Sequence, residues 1–505
     1  MNNSLRQDYD SLVTRLQETS RLGAVMNLLH WDQEVMMPKG GADSRAKQIS
    51  ALAGIVHEKL THATVGDLLD KLADSDASGF NEFERTNISE AQWAYNRSVR
   101  VPEELVREIA ELGSRGHMVW IQARKDNRFE DFAPVLEKFV GLIKKRAAYI
   151  DPDKSPYDVN IENFERGACV AQLDPLFDKL RAQLVPLISA IRQSDTQPDA
   201  SFLTGEFPIE RQEELGRRIS EDMGFSFDHG RMDVAVHPFC GGGDSTDVRI
   251  TTRYSPDNFV ESLYAVIHET GHGLYEQGRM AGYTDLPASE SLTMGIHESQ
   301  SLFWERMVAQ SESFCSHYLE LFASVFPDKL KGVSAPEFYE GINVCRPSFI
   351  RVEADEVTYP LHVILRYELE KGLFDGSVAV DQLPGLWDDK MEEYLGIRPP
   401  SDREGVLQDV HWSSGAFGYF PSYTLGAMYA SQFYNAMLKD IPDAGSQIAK
   451  GEFKNIKGWL NKNIHAQGAL YSAEELVRRV TGEPLNQDHF ISYLKEKYGK
   501  IYKLQ

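Results

Sequence analysis

Apolar side chains recur every three to four residues along most of the chain, which is the period of one face of an α-helix. Polar and charged residues fill the positions between them, so each segment would bury one stripe and expose the other. The clearest stripes run through Leu5–Leu16, Leu105–Leu112, Phe132–Ile143, Leu302–Val308, Leu361–Leu369 and Asp488–Tyr502. This pattern predicts a mainly α protein.

Strict alternation of apolar and polar residues, the pattern of a half-buried strand, is confined to one short region. It covers Met232–Val236 and Asp247–Tyr254, and Cys240–Gly243 separates the two segments. The sequence therefore predicts a minor β element, a small sheet or a hairpin. No linker, low-complexity tract or internal repeat divides the 505 residues, so we expect a single large domain over residues 1–505.

The charge balance narrows the possible partners. With 53 Lys and Arg against 76 Asp and Glu, the formal net charge is −23, which argues against a general nucleic-acid or membrane-surface role. The amino terminus lacks the apolar core of a signal peptide, and no run of 18 apolar residues occurs. No C-x-x-C pair occurs among the cysteines, so free thiols in a reducing compartment, the cytoplasm, are expected. The cysteines are Cys169, Cys240, Cys315 and Cys345.

Candidate chemistry is concentrated in His268-Glu269-Thr270-Gly271-His272. Residues four apart lie on one face of a helix, so His268 and His272 can converge on one cation. Glu269 lies about 100° round the helix, where a carboxylate can take a proton from a water that the metal activates. The alternative is an ordinary buried helix with two hydrogen-bonded histidines. Ser255 with Pro256 predicts where this helix begins, and Gly278 where it ends.

A catalytic zinc site needs a third protein ligand and one open position. Glu298, in the next predicted helix, is the best candidate for that ligand. Its neighbour His297 would point about 100° away and is less favoured. Taken alone, Glu298 would be interpreted as a plain helix carboxylate; only the upstream motif makes it a candidate ligand.

Seven segments together resemble the carboxypeptidase Taq family of thermostable metallocarboxypeptidases, nearly from end to end. Besides the H-E-x-x-H segment, they include an H-P-F, a D-x-R-x-T, an H-E-S-Q, an I-R-x-x-A-D and a G-x-x-Q-D-x-H-W element, all in the family's order. The remaining segments are Trp31–Gly41, His237–Phe239, Asp247–Thr251, His297–Gln300, Ile350–Asp355 and Gly405–Trp412.

The resemblance implies a helical, saddle-shaped fold with a deep substrate groove, similar to neurolysin and angiotensin-converting enzyme. The N-terminal helices, about residues 1–75, would form a lid over that groove. The resemblance also implies one divalent cation per chain, most often Zn²⁺ with Co²⁺ as a substitute, and a homodimer. The implied activity removes single residues from the free C-terminus of peptides with broad specificity, but cleaves poorly beside proline or acidic residues.

Three arginines are candidates for binding the substrate. Arg351 would hold the terminal carboxylate, since a guanidinium binds a carboxylate in bidentate fashion. The alternative is a helical i, i+4 pair with Asp355. Arg249 and Arg253 alternate on the predicted strand and would close the far end of the groove, unless they form a solvated strand face.

Further residues are candidates for acting near the scissile bond. His411 and Tyr423 would donate to the oxyanion of the tetrahedral intermediate. A core histidine held by Asp409 and a buried aromatic residue are their alternatives, and Tyr419 competes with Tyr423. His237 would bind the substrate backbone, with a local structural use as its alternative, and Asp355 would orient a ligand histidine.

Two other functions use many of the same residues. A metallo-oligopeptidase or dipeptidyl-peptidase would share the ligands and the base. A non-catalytic peptide-binding protein would keep the fold and a structural metal, but a closed structural site has no need of Glu269 beside its ligands.

Overall fold

The computed structural model describes residues 3–73 and 79–504, and in these ranges helices dominate. The mainly α architecture is therefore confirmed. The predicted stripes coincide with helices, and within the described ranges none of the helices is long and apolar enough to span a bilayer. The α-helices are α1 Asn3–Val35, α2 Ala42–Leu60, α3 Ala63–Ala73, α4 Glu82–Arg100, α5 Glu103–Asp126, α6 Phe129–Ile150, α7 Pro156–Ile161, α8 Val170–Gln193, α9 Ile209–Met223, α10 Phe259–Gln277, α11 Met294–Leu302, α12 Glu312–Val325, α13 Pro327–Leu330, α14 Ala335–Ile342, α15 Tyr359–Asp375, α16 Leu383–Leu395, α17 Pro421–Asp440, α18 Ala444–Ile448, α19 Lys454–Asn463, α20 Ala473–Thr481 and α21 Asp488–Ile501.

The minor β element is a three-stranded sheet just before α10. Its strands are β1 Gly230–Val234, β2 Cys240–Asp244 and β3 Asp247–Thr252, in the order β1-β3-β2. β1 pairs with β3 in parallel, whereas β2 pairs with β3 antiparallel. The glycine-rich segment that was predicted to separate two strands is thus itself an edge strand. A side chain at Gly242, where φ is +134°, would collide with the carbonyl oxygen of Asp247, so this close pairing requires glycine.

α10 begins later than the sequence predicted. Ser255 was expected to cap it, but the cap is Asn258, whose side chain accepts a hydrogen bond from the backbone N–H of Val260 at 3.0 Å. The amide oxygen satisfies one of the free donors at the helix start, so the helix starts at Phe259. The end before Gly278 is confirmed.

Most buried apolar side chains from Leu105 onward form one continuous core around α10, α11, α15 and α17. A smaller core joins α1, α3 and α4, with Leu286 contributed from the rest of the chain. Trp31, near the end of α1, is 3% exposed, and the guanidinium carbons of Arg231 and Arg249 lie 4.8 and 4.6 Å from the centre of its ring. This contact attaches the N-terminal helices to the sheet.

α10, α11 and α17 pack side by side because glycine allows two close approaches. A Cβ at Gly271 of α10 would stand 2.7 Å from the backbone oxygen of Gln300 and from the Cα of Ser301. A Cβ at Gly426 of α17 would stand 2.6 Å from Cγ of Glu298 of α11. These contacts place α11 firmly between the histidine-bearing helix and α17.

Candidate metal centre

Three side chains that the sequence singled out as ligands converge between α10 and α11. Oε2 of Glu298 lies 3.5 Å from Nε2 of His268 and 3.3 Å from Nε2 of His272. One ligand atom from each residue lies within 4.8 Å of the other two, so the group could hold a metal ion. The two histidines come from successive turns of α10, as the i, i+4 spacing predicts.

The second nitrogen of each imidazole has its own partner. Nδ1 of His268 lies 2.7 Å from a carboxylate oxygen of Glu305. Nδ1 of His272 lies 2.6 Å from Nδ1 of His297, whose Nε2 lies 2.9 Å from Glu276. Such partners orient an imidazole and leave Nε2 as the free nitrogen.

Glu276 and Glu305 were not among the residues that the sequence predicted for this site. Glu276 follows His272 by four residues on α10, so helical spacing could have identified it. No such signal marks Glu305, because the chain after α11 widens into a π-helix over Phe303–Ala309 instead of the regular helix that the apolar stripe predicted. π-helical turns are rare and occur frequently at functional sites.

Glu269 points its carboxylate into a buried environment beside these ligands. The residue is 6% exposed, and its Oε2 has no hydrogen-bond partner among the described residues. Burial raises the pKa of Glu269 to about 7; His268 opposes this rise, and Glu298 and Glu305 add to it. A carboxylate with a pKa near neutrality can both accept and return a proton.

Arg351 is 5% exposed and lies in a short 3₁₀ turn, Arg351–Glu353. Its Nε and Nη2 lie 3.0 and 2.9 Å from Oδ1 of Asp409, and its Nη1 donates to the hydroxyl of Tyr359 at 2.7 Å. Asp409 is held in turn by Nε of Arg366 at 2.5 Å. Since Nη1 and Nη2 carry two protons each, both retain a donor for a further anion.

Asp355 serves neither of the roles considered for it. Its carboxylate accepts hydrogen bonds from the backbone N–H groups of Arg346, Val357 and Thr358. It therefore shapes the turn before α15 instead of pairing with Arg351 or orienting a ligand histidine.

His411 and Tyr423 lie together, with the tyrosine hydroxyl 3.4 Å from Nε2 of the imidazole. Burial lowers the pKa of His411 to about 4, so the ring is neutral, and burial raises the pKa of Tyr423 well above its ordinary value. Nδ1 of His411 is 4.0 Å from Asp409, too far for the hydrogen bond that a histidine held by Asp409 would need. The Tyr419 ring lies 5.2 Å from that of Tyr423, so the two candidate tyrosines are direct neighbours.

The remaining predicted substrate-binding residues lie on and beside the sheet. His237 is exposed between β1 and β2. Arg249 makes two hydrogen bonds to Asp247, at 2.7 and 2.9 Å, in addition to its contact with Trp31. Arg253 is exposed and pairs with Glu261. None of these contacts involves a residue of the metal cluster.

Comparison with known proteins agrees with this geometry. The family model described as carboxypeptidase Taq (M32) metallopeptidase matches residues 11–498. Carboxypeptidase 1 of Bacillus subtilis is 38% identical over 97% of each chain. Thermostable carboxypeptidase 1 of Thermus thermophilus is 36% identical over 98% of this chain and 99% of its own.

Solved structures match over an equally large part of the chain. The crystal structure of an M32 carboxypeptidase from Deinococcus radiodurans has a TM-score of 0.96 at 37% identity, covering 98% of this chain and 100% of its own. Metallocarboxypeptidase 1 of Trypanosoma cruzi has a TM-score of 0.93 at 34% identity, covering 97% and 99%. Since the family model and these relatives match almost from end to end, the chain belongs to the carboxypeptidase Taq (M32) family and is a metal-dependent carboxypeptidase.

Proposed function

We propose that His268, His272 and Glu298 hold one divalent cation, Zn²⁺ in the first place and Co²⁺ as a substitute. Two ligands about 2.1 Å from a tetrahedral ion stand roughly 3.4 Å apart. The two separations between Nε2 and Oε2 here, 3.5 and 3.3 Å, fit that spacing. Two imidazoles and one carboxylate are also the donor set of many catalytic zinc sites, which keep a fourth position open.

The observation that carries the proposed mechanism is the buried carboxylate of Glu269 beside those donors, whose Oε2 has no partner in the described part of the chain. A bound cation would supply the positive charge that makes a water more acidic and polarises the last peptide carbonyl. Glu269 accepts the proton of that water and returns it to the nitrogen of the leaving amino acid. A structural metal site would have no use for such a base.

His411 and Tyr423 are the proposed donors to the carbonyl oxygen as negative charge develops on it. The hydroxyl of Tyr423 is protonated at any physiological pH, because burial raises its pKa, so it can always donate. The neutral ring of His411 carries one N–H, and the tautomer with the proton on Nε2 directs it toward the same side as the hydroxyl. Donors of this kind commonly contribute a few kcal/mol to transition-state stabilisation.

Recognition of the free C-terminus is assigned to Arg351. Asp409 fixes one edge of its guanidinium, and the edge formed by Nη1 and Nη2 keeps donors for the terminal carboxylate. His237 is proposed to bind the substrate backbone. Arg249 and Arg253 are proposed to close the far end of the groove, with Arg249 held in place by Asp247.

Digestion of a mixed set of peptides, followed by mass analysis, tests this function. With added Zn²⁺ or Co²⁺, single residues should leave in order from the free C-terminus, and a chelator should stop the release. C-terminally amidated copies of the same peptides should resist cleavage. Release of dipeptides or internal fragments would instead identify a dipeptidyl-peptidase or an oligopeptidase, and binding without cleavage a peptide-binding protein.

Several properties are proposed from the sequence and from the family. The chain acts as a homodimer in the cytoplasm, without nucleic-acid or membrane partners. It forms one peptidase domain over residues 1–505, in which the N-terminal helices, about residues 1–75, form a lid over the groove. Within this segment α1 and α3 are buried in the small core that they share with α4, apart from the main core, and this supports a part of the chain that opens separately.

A further inference from the structure

The imidazole of His297 lies directly behind one of the proposed metal ligands. Its Nδ1 is 2.6 Å from Nδ1 of His272, and its Nε2 is 2.9 Å from Oε1 of Glu276. The ring also packs against Tyr275, with 5.0 Å between the ring centres. Each nitrogen of His297 therefore has a polar partner, and the ring connects a ligand on one side with a carboxylate on the other.

The carboxylate of Glu276 determines the direction of these hydrogen bonds. Burial opposes its ionisation, but the hydrogen bond from His297 and the charge of Arg279 lower the pKa of Glu276 to about 2. An ionised carboxylate only accepts hydrogen bonds, so Nε2 of His297 carries the proton. Since a neutral imidazole has one N–H, Nδ1 of His297 is the acceptor. His272 then donates from Nδ1, which leaves its own Nε2 without a proton.

The chain of hydrogen bonds continues from Glu276 into the loop that follows α10. Nη1 of Arg279 lies 3.0 Å from Oε2 of Glu276, so both oxygens of this carboxylate have a partner. The guanidinium also donates to the backbone oxygens of Ser289 and Thr284, at 2.8 and 2.6 Å. Glu276 is thereby fixed with one oxygen toward His297.

The other ligand histidine on α10 is supported differently. Nδ1 of His268 lies 2.7 Å from a carboxylate oxygen of Glu305, with no second imidazole between them. Glu305 belongs to the π-helix Phe303–Ala309, whereas Glu276 belongs to α10 itself. Because the two supports come from different elements, each can be altered without the other.

We propose that His297 is a positioning residue that, together with Glu276 and Arg279, fixes the tautomer of His272. This inference rests on the proposed function, in which His272 binds the cation. An imidazole binds a metal through a nitrogen that carries no proton, and the hydrogen bond at the other nitrogen decides which one that is. Without the chain, His272 is free to adopt the tautomer in which Nε2 is protonated and unable to bind.

The first test measures the affinity for Zn²⁺ of two variants by competition with a chromophoric chelator. His297→Leu keeps about the volume of the side chain but neither hydrogen bond, whereas His297→Asn is smaller and keeps an acceptor near the position of Nδ1. We expect a loss of roughly 10–100-fold in the Leu variant and a smaller loss in the Asn variant. His57→Leu, at an exposed position of α2, is the control and should match the parent.

A larger loss in the Asn variant than in the Leu variant would show that the ring only fills space, and it would overturn the proposal. An unchanged affinity in both variants would contradict it as well. If His297→Leu does not fold, the two measurements that follow decide without it.

The second test asks whether Glu276 and His297 act on the metal site as one chain. Glu276→Gln removes the charge that sets the direction of the hydrogen bonds and should lower the affinity for Zn²⁺ by roughly tenfold. In the His297→Asn background the same change should have little further effect, since the shorter side chain no longer reaches Glu276. Glu305→Ala should keep its full effect in that background. Additive losses from Glu276→Gln and His297→Asn would contradict the chain.

Nitrogen NMR of the metal-free protein separates this inference from the proposed function. In protein whose histidines carry the NMR-active nitrogen isotope, the shifts of the two ring nitrogens identify the tautomer, and the His272→Gln variant assigns the signals. His272 should carry its proton on Nδ1 in the parent and lose this preference in Glu276→Gln. A proton on Nε2 of His272 in the parent would overturn the proposal. Failure of the parent to bind Zn²⁺ would contradict the proposed function alone, because the tautomer is measured without metal.

Discussion

At the scale of single residues, Glu269 combines a position beside three metal-ligand candidates with a carboxylate oxygen that has no hydrogen-bond partner in residues 3–73 and 79–504. The two histidines and Glu269 differ in their hydrogen bonds. His268 and His272 direct Nε2 toward Glu298 because their other ring nitrogens are engaged, whereas the proposed role of Glu269 as a base requires its carboxylate to stay free of such a bond. The proposed hydrolysis thus depends on the hydrogen bonds at Nδ1 of the two histidines and on the absence of one at the carboxylate of Glu269.

The variant Glu269→Gln should keep its fold and its metal but lose turnover by about 10²–10⁴-fold, since an amide cannot accept the proton. Metal content by mass spectrometry and kcat on a peptide ending in a neutral residue measure the two effects. Glu320→Gln, an exposed glutamate on α12, is the matched control and should behave like the parent. Turnover close to that of the parent in Glu269→Gln would refute the assignment of the base.

Removal of the carboxylate behind His268 should weaken metal binding. In Glu305→Ala the N–H at Nδ1 loses its acceptor, so the ring is less well oriented, and we expect affinity for the cation to fall by roughly 10–100-fold. Competition with a chromophoric chelator measures this affinity, and Glu320→Ala is the control. An unchanged affinity would mean that packing alone orients His268.

At the scale of elements, the site depends on how closely α10, α11 and α17 approach one another. Glycine at the two crossing points lets Glu298 reach the imidazoles of the neighbouring helix. Buried carboxylates secure the surrounding segments: Glu370 of α15 accepts hydrogen bonds from Tyr157, Trp412 and the backbone N–H of Gly418. Trp412 lies directly after His411, so this network positions a proposed oxyanion donor.

Gly271→Ala should destabilise the protein by about 1–3 kcal/mol, because the new methyl group meets backbone atoms of α11 that cannot move aside. Because the added methyl group would push α10 away from α11, the affinity for the metal should also fall. Gly458→Ala, in α19, is the control, since a Cβ there meets nothing within 4 Å. Unfolding curves and chelator competition measure both effects. Equal behaviour of the two variants would show that α11 can shift freely.

The network around Glu370 predicts a dependence of stability on pH. Burial raises the pKa of Glu370 to about 7, above its ordinary 4.5. The folded state therefore holds the proton more tightly, and the stability due to this proton is present below about pH 4.5 and is lost as pH rises through about 7. Relative to Glu370→Gln, the parent should lose about 2 kcal/mol of unfolding free energy between pH 5 and pH 8.

Thermal or denaturant unfolding of both proteins across this pH range checks the prediction. Glu320→Gln supplies the control, since an exposed carboxyl should leave the difference from the parent constant. A constant difference for Glu370→Gln as well would mean that the carboxyl ionises in the folded protein as easily as in water.

At the scale of the whole molecule, the N-terminal helices have their own small core and meet the sheet through Trp31. Arg249 connects two parts of the molecule here: it packs on Trp31 and lies on β3, where it was predicted to close the groove. A lid attached at this point would move with Arg249, the residue proposed to close the groove.

Trp31→Ala should loosen that attachment. We expect faster hydrogen exchange of backbone amides in α1 and α2, while exchange in α10 and α11 stays as in the parent, because their core is separate. Trp31→Phe keeps a ring for the arginines and should show a smaller change. Mass spectrometry of exchanged peptides measures this. Equal acceleration in both cores would show that they unfold together and would argue against a separate lid.

The sequence alone determined the helical class, the minor β element and the order of the motifs, because these depend on local periodicity and on spacing within single elements. The pair His268 and His272 follows from one helical turn and needs no tertiary information. Only the tertiary structure decided that Glu298 meets them and that Asn258 caps the helix. It also decided that Asp409, and not Asp355, holds Arg351. Contacts between elements depend on packing: the close approach at Gly271 and the π-helical turn at Glu305 and Arg306 bring together residues whose distance along the chain carries no signal of their distance in space.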